Sequence, residues 1–136
     1  YNFFTDNVGI NASLRFLKMG TFSYPITLVS ALTTQSETLV SLVDTVATFT
    51  SVPGAVLERL GVQRESVIRL RLANGVVVEH AIGEVMAEID GVRMTIIYIF
   101  GPEDAQPLIG AHTLEAFLLA VDPVEQRLVP AESLWL

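Results

Sequence analysis

Two dipeptides near the middle of the chain, Asn74-Gly75 and Asp90-Gly91, constrain its fold more than any other feature. Alternating apolar and polar residues flank the first, and the runs EVMAEI and VRMTIIYIF flank the second. Asn-Gly and Asp-Gly readily take the positive φ angles of a two-residue hairpin turn, and a period of two is typical of strands with one buried face. The sequence therefore predicts two successive β-hairpins in an all-β, barrel-like domain.

Shorter apolar runs predict the remaining strands. Residues 21–31 are expected to form a strand with Pro25 near its start or on a sheet edge, because proline has no backbone donor. Residues 38–44 (TLVSLVD) form a nearly continuous apolar run, which predicts a strand buried on both faces. Residues 126–130 (QRLVP) predict a last strand after the turn at Asp122.

Two short helices are expected between these strands. Pro53 suits a first helical position and Gly61 the position after a last turn, which predicts a helix between them. A later helix is predicted over residues 111–120, with Thr113 as its cap. Its apolar face is expected to consist of Leu114, Phe117 and Leu118.

The chain of 136 residues suits a single domain, which we assign to residues 19–136. Residues 1–18 show no clear period and are treated as an extension. No apolar run approaches the ~20 residues that span a bilayer, and no membrane partner is expected. A formal charge of −7 offers no basic patch to nucleic acid. The hydrophobic content of 51% in so short a chain favours further burial in a homodimer.

The chain has no cysteine, which excludes disulfides, thiolate metal ligands and cysteine nucleophiles. With no recognisable signal peptide, this composition predicts a cytoplasmic location. His80 follows Glu79, and His112 lies near Asp104 in sequence, but this spacing matches no standard ligand set. We therefore expect no metal and no other cofactor.

Residues 41–53 (SLVDTVATFTSVP) hold the strongest candidate for chemistry. Asp44 ends an apolar strand, where an aspartate ordinarily turns the chain by accepting hydrogen bonds from nearby backbone amides. Its context is more specific. LVDTVA at residues 42–47 precedes a predicted helix, the Asn-Gly hairpin, a second hairpin, and LIG at residues 108–110 before the last helix.

This order of elements resembles that of the retropepsin-like aspartic peptidases, the single-domain enzymes of the retroviral-protease type, and especially small bacterial members. The resemblance extends over about residues 19–130. It implies an all-β fold, a closed β-barrel with a flap hairpin and one short C-terminal helix. It also implies an endopeptidase that needs no cofactor and acts on a peptide or protein substrate.

The resemblance implies a role for each matching residue. Asp44 would face its symmetry mate in a homodimer, and the two carboxylates would share one proton and activate water. Thr45 would bond across the dimer axis, and Ala47 and Thr48 would line the floor of the site. Ala73, Asn74 and Gly75 would form the tip of the flap. Leu108, Ile109 and Gly110 would pack behind the catalytic loop. Residues 128–130 would take part in an intersubunit sheet.

Two positions depart from the family pattern. Val46 stands where the family has glycine, and we expect backbone strain there because a β-branched residue resists the torsions that glycine allows. Ala111 and His112 follow Gly110, where the retroviral enzymes have Arg and Asn, so the supporting ion pair of those enzymes is absent. Two functions therefore remain open: an active aspartic endopeptidase, or an inactive dimerisation or peptide-binding module of the same fold. An unrelated small β-barrel binding domain is a third.

Overall fold

The computed structural model of the chain describes residues 22–132. It contains nine strands and two short helices, with β1 at Phe22–Val29, β2 at Ser36–Val43, β3 at Thr50–Pro53, α1 at Gly54–Arg59, β4 at Ser66–Arg71, β5 at Val77–Ile89, β6 at Val92–Gly101, β7 at Leu108–Ile109, α2 at Ala111–Ala116, β8 at Leu119–Asp122 and β9 at Arg127–Pro130. The predicted extension over residues 1–18 lies outside the described residues.

Seven strands form one sheet in the order β1-β2-β7-β3-β6-β5-β4. An additional antiparallel pairing of β1 with β5 closes six of these strands into a ring, and β4 lies outside it on β5. Strands β8 and β9 form a separate two-stranded sheet. The all-β prediction is confirmed, and both helices expected from the sequence are present, whereas the resemblance implied only the late one.

Both predicted hairpins are present, and they share one long strand. β5 has 13 residues and pairs with β4 through the first turn and with β6 through the second. Asp90 and Gly91 have φ angles of 51° and 82°, as a type I′ turn requires. In the first turn Gly75 has a φ of 88°, and the side chain of Asn74 accepts a 2.9 Å hydrogen bond from the backbone N–H of Val76.

The first two strands meet one prediction and contradict another. Pro25 lies opposite Val40 of β2, in the part of β1 that has no second partner among the described residues, so its edge position is confirmed. The prediction that residues 38–44 are buried on both faces is wrong. Val40 is 68% exposed, and full burial is confined to Ser41 and Val43 near the end of the strand.

The first helix follows its prediction and the second does not. α1 begins after Pro53, and Gly61 follows it with a φ of 74°. α2 ends at Ala116, and the predicted continuation to residue 120 is wrong because Leu118 has a φ of 55° and β8 begins at the next residue. Pairing of β8 with β9 outweighs the local helical preference of these residues.

Two side-chain predictions for the second helix also fail. Thr113 is buried inside α2, whose N-cap residue is Gly110 and makes no side-chain cap hydrogen bond. Leu118 is 49% exposed, whereas Leu114 and Phe117 are buried as predicted. The last strand, expected at residues 126–130, is present as β9 and pairs within its own chain.

The core fills the ring and continues beneath both helices. Its fully buried members include Ile26 and Leu28 of β1, Val43 of β2 and Tyr98 of β6. Val43 also pairs with Ile109 in a parallel register, which fixes where the chain leaves β2. Across residues 22–132, no helix has the length and apolar character needed to cross a membrane.

Candidate functional site

Asp44 is the first residue after β2, and buried neighbours determine its position. Val43 and Ile109 are both 0% exposed and pair in parallel between β2 and β7. The backbone N–H of Asp44 donates to the carbonyl of Ile109 over 2.9 Å. The carboxyl group is therefore held at the end of a rigid strand pair, where its side chain is only partly buried.

The two oxygens of the Asp44 carboxylate have different environments. Oδ1 accepts a 3.0 Å hydrogen bond from the backbone N–H of Val46, and the carbonyl of Asp44 accepts a 3.3 Å bond from Ala47. Within residues 22–132, Oδ2 has no hydrogen-bond partner. One oxygen is oriented and the other is available, which suits a group that exchanges protons. The same turn also serves the ordinary role of an aspartate at a strand end.

Val46 lies in this turn without the strain that the sequence predicts. Among the described non-glycine residues, positive φ angles occur only at Asp90, Leu118 and Gln126. The expectation of a strained backbone at Val46 is therefore wrong. Its side chain is 82% exposed, so any effect of this valine comes from the place its isopropyl group occupies.

The rest of the loop is held against the start of α2 by two backbone hydrogen bonds. Ala111 donates to the carbonyl of Ala47 over 2.8 Å, and His112 donates to the carbonyl of Thr48 over 2.9 Å. Thr45 and the side chain of Thr48 remain exposed. These contacts join the predicted support residues Ala47 and Thr48 to the segment that follows β7.

A buried hydroxyl pair strengthens the same junction. The hydroxyl groups of Thr50 and Thr113 are hydrogen-bonded to each other, and both residues are 1% exposed. The Oγ1 of Thr50 also accepts a 3.0 Å bond from the backbone N–H of Gly110. Because buried polar groups are costly without partners, this small network fixes how β3 and α2 approach each other.

Gly110 allows the closest approach between the two segments. A Cβ at this position would lie 2.5 Å from the carbonyl oxygen of Phe49 and 2.9 Å from that of Ala47. Leu108 pairs with both Leu42 and Ser51 and so lies between β2 and β3. The structure thus brings residues 108–110 directly beside the Asp44 loop.

The predicted flap residues Ala73, Asn74 and Gly75 lie at the exposed tip of the β4–β5 hairpin. The tip is closed by a 2.8 Å bond from the N–H of Leu72 to the carbonyl of Val76 and by a 2.9 Å bond from Gly75 to Leu72. Neither these tip residues nor the Asp44 loop lines the pocket described next.

A pocket of about 160 Å³ lies between this hairpin and the β3–β6 strand pair. It is smaller than the ~300–1,000 Å³ of small-molecule sites, so its size suits one side chain rather than a cofactor. Its lining residues are Ser51, Leu70, Leu72, Val78, His80, Ile99, Gly101, Pro102 and Ala105. The sequence analysis missed this pocket, although the period-two pattern of the hairpin places Leu70, Leu72, Val78 and His80 on one face.

The two histidines occupy unrelated positions. Nδ1 of His80 lies 3.2 Å from the carbonyl oxygen of Phe100, whereas the ring of His112 lies 6.0 Å from that of Phe49. Within the described part of the chain, no three His, Cys, Asp or Glu side chains come together as a metal site would require.

The chain matches no family model and no curated protein.

Proposed function

We propose that the protein is an aspartic endopeptidase of the retropepsin type, whose active site forms from the Asp44 residues of two identical chains. The observation that carries the proposal is the Asp44 turn: one carboxylate oxygen is held by a backbone N–H and the other is free of protein partners within residues 22–132. The closed ring of six strands is compatible with a retropepsin-type barrel.

The chemistry follows from bringing two such carboxylates together. Two carboxylates in close contact hold one proton between them, because ionising both would place like charges side by side. The ionised partner removes a proton from water, which attacks the peptide carbonyl, while the protonated partner donates to the carbonyl oxygen. A proton then passes to the leaving nitrogen. In this scheme Thr45 bonds across the dimer axis, and Ala47 and Thr48 form the floor.

The substrate is a peptide bound in extended form beneath the β4–β5 hairpin, whose tip is Ala73, Asn74 and Gly75. An extended peptide offers backbone groups to neighbouring strands and side chains to alternate pockets. The apolar pocket beside this hairpin has the size for one such side chain. Closure of the hairpin over the peptide would exclude water from the reacting bond.

The exposed side chain of Val46 favours a second candidate function, a catalytically inactive module of the same fold that dimerises or binds peptides. Val46 is 82% exposed and lies two residues from Asp44. Near a two-fold axis, two isopropyl groups would hold the carboxylates apart, and an error of ~1 Å in catalytic geometry costs about a hundredfold in rate.

Cleavage of a random peptide library, followed by mass spectrometry from pH 3 to 8, separates the two candidates. The peptidase proposal predicts cleavage that is absent in Asp44→Asn and faster in Val46→Gly, because glycine removes the two isopropyl groups. Cleavage that survives in Asp44→Asn contradicts the proposal. If both the natural protein and Val46→Gly leave the library intact, the inactive module is the better account.

A further inference from the structure

The pocket beside the hairpin is apolar except for two side chains, Ser51 and His80. His80 is partly buried, and its Nδ1 lies 3.2 Å from the carbonyl oxygen of Phe100. A carbonyl oxygen only accepts hydrogen bonds, so Nδ1 must carry the hydrogen. In the neutral imidazole the other ring nitrogen, Nε2, is then an acceptor, and no residue between 22 and 132 forms a hydrogen bond with it.

Protonation changes what His80 offers to a ligand without breaking its bond to Phe100. In the neutral ring Nε2 is an acceptor, and in the protonated ring it becomes a charged donor while Nδ1 keeps its hydrogen. Histidine is the side chain that ordinarily changes charge between pH 5 and 8. The pocket therefore has two polar states in an otherwise apolar lining.

We infer that His80 is a specificity-determining residue that makes side-chain selection in this pocket depend on pH. Neutral His80 can accept only an ordinary hydrogen bond from the amide of a glutamine side chain, whereas protonated His80 donates a charge-assisted one to its carbonyl oxygen, so the preference for glutamine over an apolar side chain rises as the pH falls. The inference rests on the proposed function, since it treats the pocket as a site for a peptide side chain.

Next to His80 the hairpin carries no other charge on the same face, and the first charged side chain further along that face of β5 is Glu84. Ile68 lies directly opposite His80 on β4, and Leu70 and Val78 share its face. Arg69 and Glu79 form the next cross-strand pair and therefore point to the other face. No charged side chain of β4 or β5 therefore lies directly beside His80 on this face.

The elements across the pocket supply negative charge at its rim. Glu103 and Asp104 are exposed in the turn between the lining residues Pro102 and Ala105, and they favour a cation in the pocket. Ser51 of β3 adds a neutral hydroxyl.

Arg64, which contacts Phe100, is not among the residues that line the pocket. Arg64 stacks 4.4 Å above the ring of Phe100, and that ring points away from the face on which Ile99 lines the pocket. The positive charge of Arg64 therefore does not take the place of protonated His80 as the donor to a ligand in the pocket.

The test measures binding with catalysis removed. The Asp44→Asn protein of 136 residues is titrated with the octapeptide amide Ala-Ala-Val-Leu-Phe-Val-Ala-Ala and with four versions that carry Gln at one central position each. For the version that places Gln in the pocket, affinity relative to the parent peptide should rise about tenfold between pH 8 and pH 5, as expected for one charge-assisted hydrogen bond.

Two variants and one spectrum control this result. His80→Phe should make the affinity ratio independent of pH, whereas His112→Phe, which alters the histidine outside the pocket, should keep the change. In the natural protein, ¹⁵N chemical shifts at neutral pH should identify His80 as the tautomer with hydrogen on Nδ1. The spectrum tests the inference even where His80→Phe does not fold.

Several outcomes overturn the inference: a hydrogen on Nε2 at neutral pH, a pH-independent ratio in all four peptides, or no binding of any peptide at either pH. The proposed function is judged separately. A pH-dependent ratio without cleavage by the natural protein supports the inference and contradicts the peptidase proposal. Cleavage that depends on Asp44 but shows no change in side-chain preference contradicts only the role of His80.

Discussion

Substitution of Gly110 by alanine should destabilise the protein through the Asp44 loop. The added Cβ would lie 2.5 Å from the carbonyl oxygen of Phe49 and 2.9 Å from that of Ala47, distances at which the backbone must move. Overpacking of this kind costs about 1–3 kcal/mol. The movement also loosens the bond from Gly110 to Thr50, worth about 1 kcal/mol. We therefore expect Gly110→Ala to lower the free energy of unfolding by about 3 kcal/mol.

Urea unfolding followed by circular dichroism measures this change, and a thermal midpoint lowered by on the order of 10 °C should accompany it. Gly54→Ala is the matched control. Gly54 is also buried, but the nearest atoms to its Cβ lie at 3.5 Å and it begins α1, where alanine is the better helix former. If Gly110→Ala unfolds within about 0.5 kcal/mol of Gly54→Ala, the tight contact between the two segments is refuted.

Two further predictions concern buried and turn-forming side chains. The hydroxyl of Tyr98 is buried with no hydrogen-bond partner among the described residues, and burial raises the pKa of this tyrosine. Tyr98→Phe should therefore stabilise the protein by about 1 kcal/mol in urea unfolding, and a loss of similar size would show that the hydroxyl has a partner. Hydrogen bonds from the backbone N–H groups of Glu125 and Val124, with Arg127 nearby, lower the pKa of Asp122. A lowered folded-state pKa contributes stability above the unfolded value of about 3.9 that is lost as pH falls through the folded value. Asp122→Ala should thus lower the thermal midpoint at pH 7, and the difference from the natural protein should shrink below pH 4; a difference that stays constant to pH 2 would contradict this.

Features encoded by a few adjacent residues were predictable from the sequence. Asn74-Gly75 and Asp90-Gly91 determine their turns through their own backbone preferences, so both hairpins were predicted. Pro25 marks an edge because its ring removes a donor wherever it lies. The position of Asp44 at the end of a strand was also predictable, because the apolar run stops there.

Features that depend on distant partners were not predictable. The helix predicted over residues 111–120 stops early because β8 pairs with β9, and that pairing depends on the turn after Asp122. The exposure of Val40 follows from its position in the ring of strands, which the apolar run does not encode. Thr113 could not be recognised as the partner of Thr50, because 63 residues separate the two hydroxyl groups.

The pocket and the backbone torsions of Val46 were also not predictable from the sequence. His80 and Ser51 reach one pocket through pairings that join three strands, so the sequence indicated only the hairpin side of it. The strain predicted at Val46 came from the family pattern, whereas the local turn accommodates this valine with a negative φ.

The central claim, that the active site takes Asp44 from each of two chains, is tested most directly by mixing. Natural protein and Asp44→Asn protein are unfolded together in equal amounts, refolded, and assayed for peptide cleavage at the total concentration of the undiluted natural protein. If only dimers with two natural chains are active, the mixture retains about one quarter of the activity, because random pairing forms that fraction of such dimers. Retention of about one half, as expected when each chain acts alone, contradicts the account.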